Sequence, residues 1–377
     1  MTEVAPAPDG LPPLLVTGRL DRVRAAMHEA ELGALVVTDL VNVRWCTGFT
    51  GSFGALVVLA DGATLLTDRR YAEQAPAQLD GAGAVDVDVR IVGAPSAAGA
   101  EVAGSAGPVG LEAEAITWAD QRRWAEALGT DPVPTEGLIR ELRSVKDAAE
   151  LARMQRAAAV VDEALAAVRP ALVPGATERE LALALDDGMR ARGATGPAYE
   201  TIVASGPNAA LPHARPGERP LEPGDLVVID AGAVVEGYRS DMTRTFAVGD
   251  APDRAVEIHR IVTAAQAAGV AAVAPGVAVG EIDRTCRDLI TEAGYGDEFG
   301  HGTGHGVGLD IHELPAVRAG NTAILQPGQV ITVEPGIYVP GFGGVRVEDL
   351  VVVTDDGCRP LTQYPKESPC PPSPPTT

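Results

Sequence analysis

Apolar positions change their period several times along this chain, and each change marks an element. From Leu15 to Leu32 the spacing is helical, with a polar opposite face. GALVVTDLVNVRW, from Gly33, is rich in β-branched residues and predicts extended chain. In ALVVLADGATLLTD two apolar runs flank Asp61-Gly62, a short-range hairpin signal. VDVDVRIV alternates with period two, as a half-buried strand does, PVGLEAE predicts another strand, and ITWADQRRWAEAL a helix. Residues 14–140 therefore read as one α/β domain, with no constellation of catalytic type in it.

A second domain is expected from residue 144 to residue 364. Leu151, Met154, Ala158, Val161, Leu165 and Val168 repeat at three and four, and Pro170 stops the helix. Pro174-Gly175 turns the chain, and Thr177 with Glu180 predicts a capping box opening a helix that runs to Gly193. This half repeats. A helix, Pro174-Gly175 and a second helix recur around Pro275-Gly276, an offset of 275 − 174 = 101. LEPGDLVVIDAG from Leu221 recurs as LQPGQVITVEPG from Leu325, an offset of 325 − 221 = 104. Asp230 then falls on Glu334, and His213 roughly matches His312. Each copy carries a second acid downstream, Asp241 in one and Glu348 in the other. A pseudo-twofold with the acids converging between the halves is the expected geometry.

The chemistry concentrates in the last third, in HGTGHGVGLDIHE, VEPGIY and GVRVEDL, and in the earlier VVIDAG…GYRSDMTRT. Together these supply Asp230, Asp241, His305, Glu334 and Glu348, four carboxylates and one imidazole. A lone acid at a strand end is usually a cap or turn residue. Acids at duplicated positions beside clustered histidines point instead to a site. The donor set suits a pair of hard divalent cations, Mn²⁺ first, with Co²⁺, Fe²⁺ or Zn²⁺ as alternatives. Such a pair supports hydrolysis of an amide or ester. Arg346 and Glu348 are two apart, so on a strand both point to one face, and Arg346 can orient an acid while Glu348 ligates. Glycines around His301 and His305 allow close backbone approach. His28 and His259 lie in helical, polar surroundings and are expected at the surface, whereas His213, His301, His305 and His312 fall near the acids.

Composition narrows the picture further. A chain of 377 residues is long for a single core, which also favours two domains. A formal net charge of −22 argues against nucleic acid or an anionic membrane as partner. The four cysteines are scattered, without CxxC, so a reducing compartment, the cytoplasm, is expected, with Cys46 and Cys286 as small core residues. The N-terminus lacks the pattern of a signal peptide. The uncharged run Ile261–Gly280 is broken by Pro275-Gly276 and reads as a helix end and a turn. Residues 365–377 are proline-rich and polar and are expected to be disordered.

DAG…GYRSDMTRT, HGTGHGVGLDIHE, EPGIY and GVRVED resemble the pita-bread metallopeptidases, a family that holds aminopeptidase P, prolidase, methionine aminopeptidase and the metal-free creatinase. NVRWCTGFTGS and LLTDRRYAEQA are similar to the N-terminal domain of Xaa-Pro peptidases. The resemblance implies a creatinase-like α/β domain followed by an α+β pita-bread catalytic domain, with two divalent ions per chain. It implies that Asp230 binds one ion, that Asp241 and Glu348 bridge both, and that His305 and Glu334 bind the other. Glu334 would shuttle the proton, His213, His301 and His312 would line the substrate site, and Arg346 would stand behind the ligands. It further implies short proline-containing peptides as substrates and a homodimer or higher homo-oligomer. Two rivals are a methionine aminopeptidase, against which the size of the N-terminal domain counts, and a metal-free or partner-binding relative, against which the intact ligand set counts.

Overall fold

The computed structural model describes residues 10–366, and the chain divides into two compact units between Arg143 and Ser144. The first is built on a six-stranded mixed sheet of β1 (Ala34–Val37), β2 (Ala55–Leu59), β3 (Ala63–Thr67), β4 (Val87–Ile91), β5 (Val109–Glu112) and β6 (Val133–Thr135). Its strand order is β4-β3-β2-β1-β5-β6. The β2–β3 hairpin turns at Asp61-Gly62, where Leu59 N donates to Gly62 O at 2.8 Å. Val36, Val57, Leu66 and Leu111 pack with Trp124 in the core on one face.

One sequence expectation fails here. The β-branched run after β1 does not continue as strand, because Leu40–Thr47 is an α-helix. A local cap and a distant carboxylate together win over β-propensity. The Asp39 carboxylate accepts from Val41 N at 2.9 Å. The Glu112 carboxylate accepts from Thr38 N at 2.6 Å, Asp39 N at 2.8 Å and Asn42 Nδ2 at 2.6 Å. Gly48, at φ +79°, then ends the helix in a conformation that a side chain would disfavour.

The second unit contains the repeat as structure. Helices Ala148–Val168 and Glu178–Ala191 form one antiparallel pair, and Asp253–Ala272 and Val279–Glu292 the other. Both turns use the same device. Gly175 at φ +93° donates to Leu221 O at 2.9 Å, and Gly276 at φ +86° donates to Leu325 O at 2.9 Å. The helix after Thr177 carries both bonds of its capping box. In the first copy, strand Leu226–Ala231 lies between Ile202–Ser205 and Met242–Ala247. In the second, Val330–Val333 lies between Gly304–Gly306 and Asp349–Val353. Asp230 sits opposite Thr243 and Val333 opposite Asp349, so each copy brings its acids to the same end of a central antiparallel pair.

His259 corrects another expectation. It lies inside the helix Asp253–Ala272 and is only 5% exposed, because that helix buries Ile258, Ile261, Val262 and Ala265 over a wide face that takes in the histidine. Burial lowers its pKa to about 4. A folded pKa below the unfolded value of about 6.5 means the unfolded chain binds the proton first. Stability is therefore expected to decline as pH falls from about 6.5 toward about 4, and His259→Leu to flatten that limb in urea titrations. A slope identical in both proteins would refute the assignment.

No helix among the described residues is long and apolar enough to cross a membrane. Cys46 and Cys286 are free and buried. Of the tail expected to be disordered, residues 367–377 lie outside the described residues. Lys366 is tied down, its ammonium paired with the buried Asp349.

Candidate metal centre

Three acids converge from the two copies. Asp230 lies near the end of a fully buried strand, Asp241 directly precedes the antiparallel strand beside it, and Glu348 precedes Asp349–Val353. One carboxylate oxygen from each lies within 4.8 Å of the other two. Glu334 follows Val330–Val333, and His305 lies in the neighbouring strand Gly304–Gly306. His305 Nε2 is 3.5 Å from Asp241 Oδ2 and 3.4 Å from Glu334 Oε1. Its Nδ1 is 2.9 Å from Gly306 O, which assigns the ring proton to Nδ1 and turns the Nε2 lone pair toward the acids.

Hydrogen bonds hold each donor in place. Thr243 Oγ1 donates to Glu348 Oε2 at 2.7 Å, and Thr332 Oγ1 donates to Glu334 Oε1 at 3.2 Å. The latter hydroxyl also accepts from His305 N at 3.0 Å. Arg346 Nη2 donates to Asp230 Oδ2 at 2.6 Å. The strand expected to carry Arg346 and Glu348 breaks at Val347, yet both side chains still reach the cluster.

The electrostatics suit a cation here. Burial, reinforced by neighbouring carboxylates, pushes Asp241 and Glu348 well above the usual carboxylate range. Burial works against the charge on Arg346, but Tyr338, Asp230 and Glu334 more than offset it. A single guanidinium cannot balance this many acids, and an oxygen-rich set with one imidazole matches hard divalent ions.

Two tyrosines complete the site, and sequence reasoning assigned neither a role. The hydroxyl of half-buried Tyr199 lies 2.5 Å from Asp230 Oδ1 and also hydrogen-bonds Asp241 Oδ1, sharing one proton between two carboxylates. Tyr199 is 31 residues from Asp230, and no local pattern marks it. Tyr338 ends the quoted EPGIY motif and accepts from Arg346 Nη1 at 2.8 Å, so its own proton points to His301 Nε2 at 2.9 Å. His301 Nδ1 then donates to Gly302 O at 2.7 Å, a fully bonded neutral ring, and burial lowers its pKa accordingly.

The centre opens into a cavity of about 540 Å³, also lined by His213, His301 and His312. The His312 ring packs edge-on against His305, 4.4 Å between centroids. Two buried acids pin the loops that bear histidines. Asp283 accepts from Thr303 N at 3.1 Å and Thr303 Oγ1 at 2.9 Å, between His301 and His305. Glu178 accepts from Ser205 N at 2.8 Å and Gly217 N at 3.1 Å, on either side of His213.

Comparison with known proteins decides the family. The model of metallopeptidase family M24 matches residues 152–355, and that of the creatinase/prolidase N-terminal domain matches residues 19–145. The chain belongs to metallopeptidase family M24. A relative, the peptidase YqhT of Bacillus subtilis strain 168, is 39% identical over 93% of this chain and 99% of its own. The solved Xaa-Pro dipeptidase from Bacillus anthracis is 38% identical, with a TM-score of 0.90 over 94% of this chain and 99% of its own. The X-Pro aminopeptidase from Thermotoga maritima is 33% identical, with a TM-score of 0.83 over 92% and 99%. The second unit thus has the pita-bread fold of the M24 enzymes, the protein is a metallo-exopeptidase, and divalent metal belongs to the chemistry of its family.

Proposed function

We propose that this M24 enzyme hydrolyses Xaa-Pro peptide bonds of short peptides, with two divalent ions held by Asp230, Asp241, His305, Glu334 and Glu348. The convergence of Asp230, Asp241 and Glu348 within 4.8 Å, in the lining of the cavity, carries the reading. The names of the dipeptidase and aminopeptidase relatives support the proline specificity. Asp230, Asp241 and Glu348 would hold the ions from one side and His305 and Glu334 from the other. Mn²⁺ is the first choice for an oxygen-rich set. When bound, the ions supply Lewis acidity and a water of lowered pKa.

The chain's own residues do the rest. Arg346 Nη2 donates to Asp230 Oδ2 at 2.6 Å and fixes where that carboxylate points. Glu334 is placed to carry the proton that the departing proline nitrogen needs. That nitrogen belongs to a tertiary amide and donates no hydrogen bond, so substrate must be aligned through its carbonyl. His301 lines the cavity with both ring nitrogens engaged, so His213 and His312, which line it too, are the histidines that stabilise charge developing on that carbonyl.

The cavity wall favours a dipeptide. Arg215 and Arg318 both line it, and Arg215 is engaged by Glu200 at 3.1 Å. Arg318, exposed and unpaired among the described residues, matches the free carboxylate of a proline at the second position. Ala-Pro is therefore expected to be cleaved faster than Ala-Pro-Ala, and both far faster than Ala-Ala. Arg318→Ala is expected to raise KM about tenfold for Ala-Pro while leaving Ala-Pro-amide unchanged. Equal effects on acid and amide would remove the carboxylate role. Preferred release of methionine from Met-Ala-Ala, with the proline peptides untouched, would hand the case to the methionine aminopeptidase alternative. Full turnover after exhaustive metal removal would favour a metal-free, creatinase-like mechanism.

The enzyme works as a homodimer or larger homo-oligomer, for which light scattering showing a monomer is the adverse result. Free Cys46, Cys286 and Cys358 support a reducing compartment, the cytoplasm.

A further inference from the structure

We infer that Lys146 and Glu313 form a buried ion pair that positions His312 beside the metal centre. This rests on the reading of His312 as a substrate-side residue. The pair is 2.8 Å long, Lys146 Nζ to Glu313 Oε2, with side chains 1% and 4% exposed. It joins the start of the second unit to a residue 167 positions later, next in sequence to His312.

Both ends are anchored. Lys146 N donates to Gly328 O at 2.9 Å, its ammonium also donates to Ser144 O at 3.2 Å, and Gln329 Nε2 donates to Ser144 Oγ at 3.1 Å. The segment is thus fixed to the turn that leads into the strand Val330–Val333 and on to Glu334. At the other end, Glu313 Oε1 accepts from Asp310 N at 3.1 Å. Gly308 packs so closely on that carboxylate that a Cβ there would lie 2.5 Å from Oε2. The loop Gly308–His312 is therefore wrapped around the Glu313 carboxylate, and Lys146 sets where that carboxylate lies.

His312 needs such an arrangement. Its side chain forms no hydrogen bond among the described residues, and the His305 ring, 4.4 Å away, is its aromatic neighbour. The direction of the ring is thus set by its backbone, and the backbone by Glu313. A buried ion pair is a poor device for stability alone, since an apolar pair of the same volume serves as well or better. What it does supply is a fixed direction and length. Misplacing a group at a reacting centre by about 1 Å can cost about a hundredfold in rate.

The test is a double-mutant cycle on the metal-loaded, full-length enzyme with Ala-Pro. It compares His312→Ala, Glu313→Gln and the double variant, with metal content measured for each. Glu313→Gln keeps the acceptor for Asp310 N but removes the charge that holds Lys146. It is expected to lower kcat about tenfold or more, with KM and metal content near wild type. In the His312→Ala background the same change is expected to cost less than about twofold, because the residue it positions is gone. Losses that multiply, or an unchanged kcat for Glu313→Gln, would overturn the inference. A full kcat for His312→Ala alone would overturn the substrate-side reading of His312 itself, and with it this positioning role. Where Glu313→Gln does not fold, Glu313→Asp takes its place in the cycle with the same expectations. Lys146→Arg, which keeps the charge, is expected to retain more turnover than Lys146→Met, and equal losses in the two would also count against the pair.

Discussion

Glu348→Gln is expected to lower turnover of Ala-Pro by about a thousandfold or more and to leave the enzyme short of metal, with Asp241→Asn behaving alike. Glutamine has the shape of glutamate and still accepts from Thr243 Oγ1, which lies 2.7 Å from Glu348 Oε2. What is lost is one negative charge from the proposed metal ligands. Burial and the carboxylates of Asp241, Glu334 and Asp230 hold Glu348 well above the ordinary range, so this acid is costly to ionise without cations beside it. The same argument fixes a second sign. Without metal, the variant carries one fewer mutually repelling acid in a buried cluster, so it is expected to unfold at the same temperature as metal-free wild type or higher. Elemental analysis, steady-state rates and thermal unfolding of both forms test this together. A Glu348→Gln enzyme with full metal content and near-wild-type kcat would end the proposed ligand assignment.

Arg244→Met is expected to destabilise the protein by about 3–5 kcal/mol, the scale of a broken buried ion pair. Arg244 is 2% exposed, and its guanidinium lies 2.9 Å from Asp349 Oδ1. It also donates to Tyr364 O, at 2.9 Å from Nε and 2.6 Å from Nη2, and to the carbonyls of Thr243 and Glu348. Removing it leaves Asp349 with the ammonium of half-buried Lys366, with Gln266 Nε2 at 3.0 Å and with Thr362 Oγ1 at 3.0 Å. Several buried carbonyls lose a donor as well. Burial alone would raise Asp349, but Arg244 and Lys366 outweigh it and hold the carboxyl below its usual range. A depressed folded pKa gives stability that is fully present above the unfolded value of about 3.9 and is lost as pH falls through the folded one. In Arg244→Met this acid limb is expected to move to higher pH. Urea unfolding across pH measures both effects, and a loss below about 1 kcal/mol at neutral pH would show that the pair is dispensable. Because Arg244 also holds the Glu348 carbonyl, metal affinity is expected to fall alongside stability.

Elements whose signals lie within a few residues were legible in the chain. The Asp61-Gly62 hairpin, the Thr177–Glu180 capping box and the helix stopped before Pro170 are all present. Each depends on a turn, a cap or a missing N–H that neighbouring residues settle among themselves. The duplicated Pro-Gly turns and strand ends were legible for a related reason, since repeated sequence folds into repeated structure. That is why Asp230, Asp241 and Glu348 could be named before any coordinate placed them within 4.8 Å.

What the tertiary structure alone decided involves partners far apart in the chain. The helix Leu40–Thr47 replaced an expected strand because Glu112, 70 residues on, supplies acceptors for its first turn. His259 is buried because of what packs on its helix, which its polar sequence neighbours do not reveal. Tyr199 reaches Asp230 and Asp241, Asp283 pins Thr303, and Lys146 meets Glu313 across 167 residues. The sequence by itself determined the local elements, the repeat and the identity of the acids, because those follow from short-range backbone chemistry and from duplication. Only the folded chain decided how each acid and histidine is aimed, because side-chain hydrogen bonds and buried charge pairs exist only once distant segments are brought into contact.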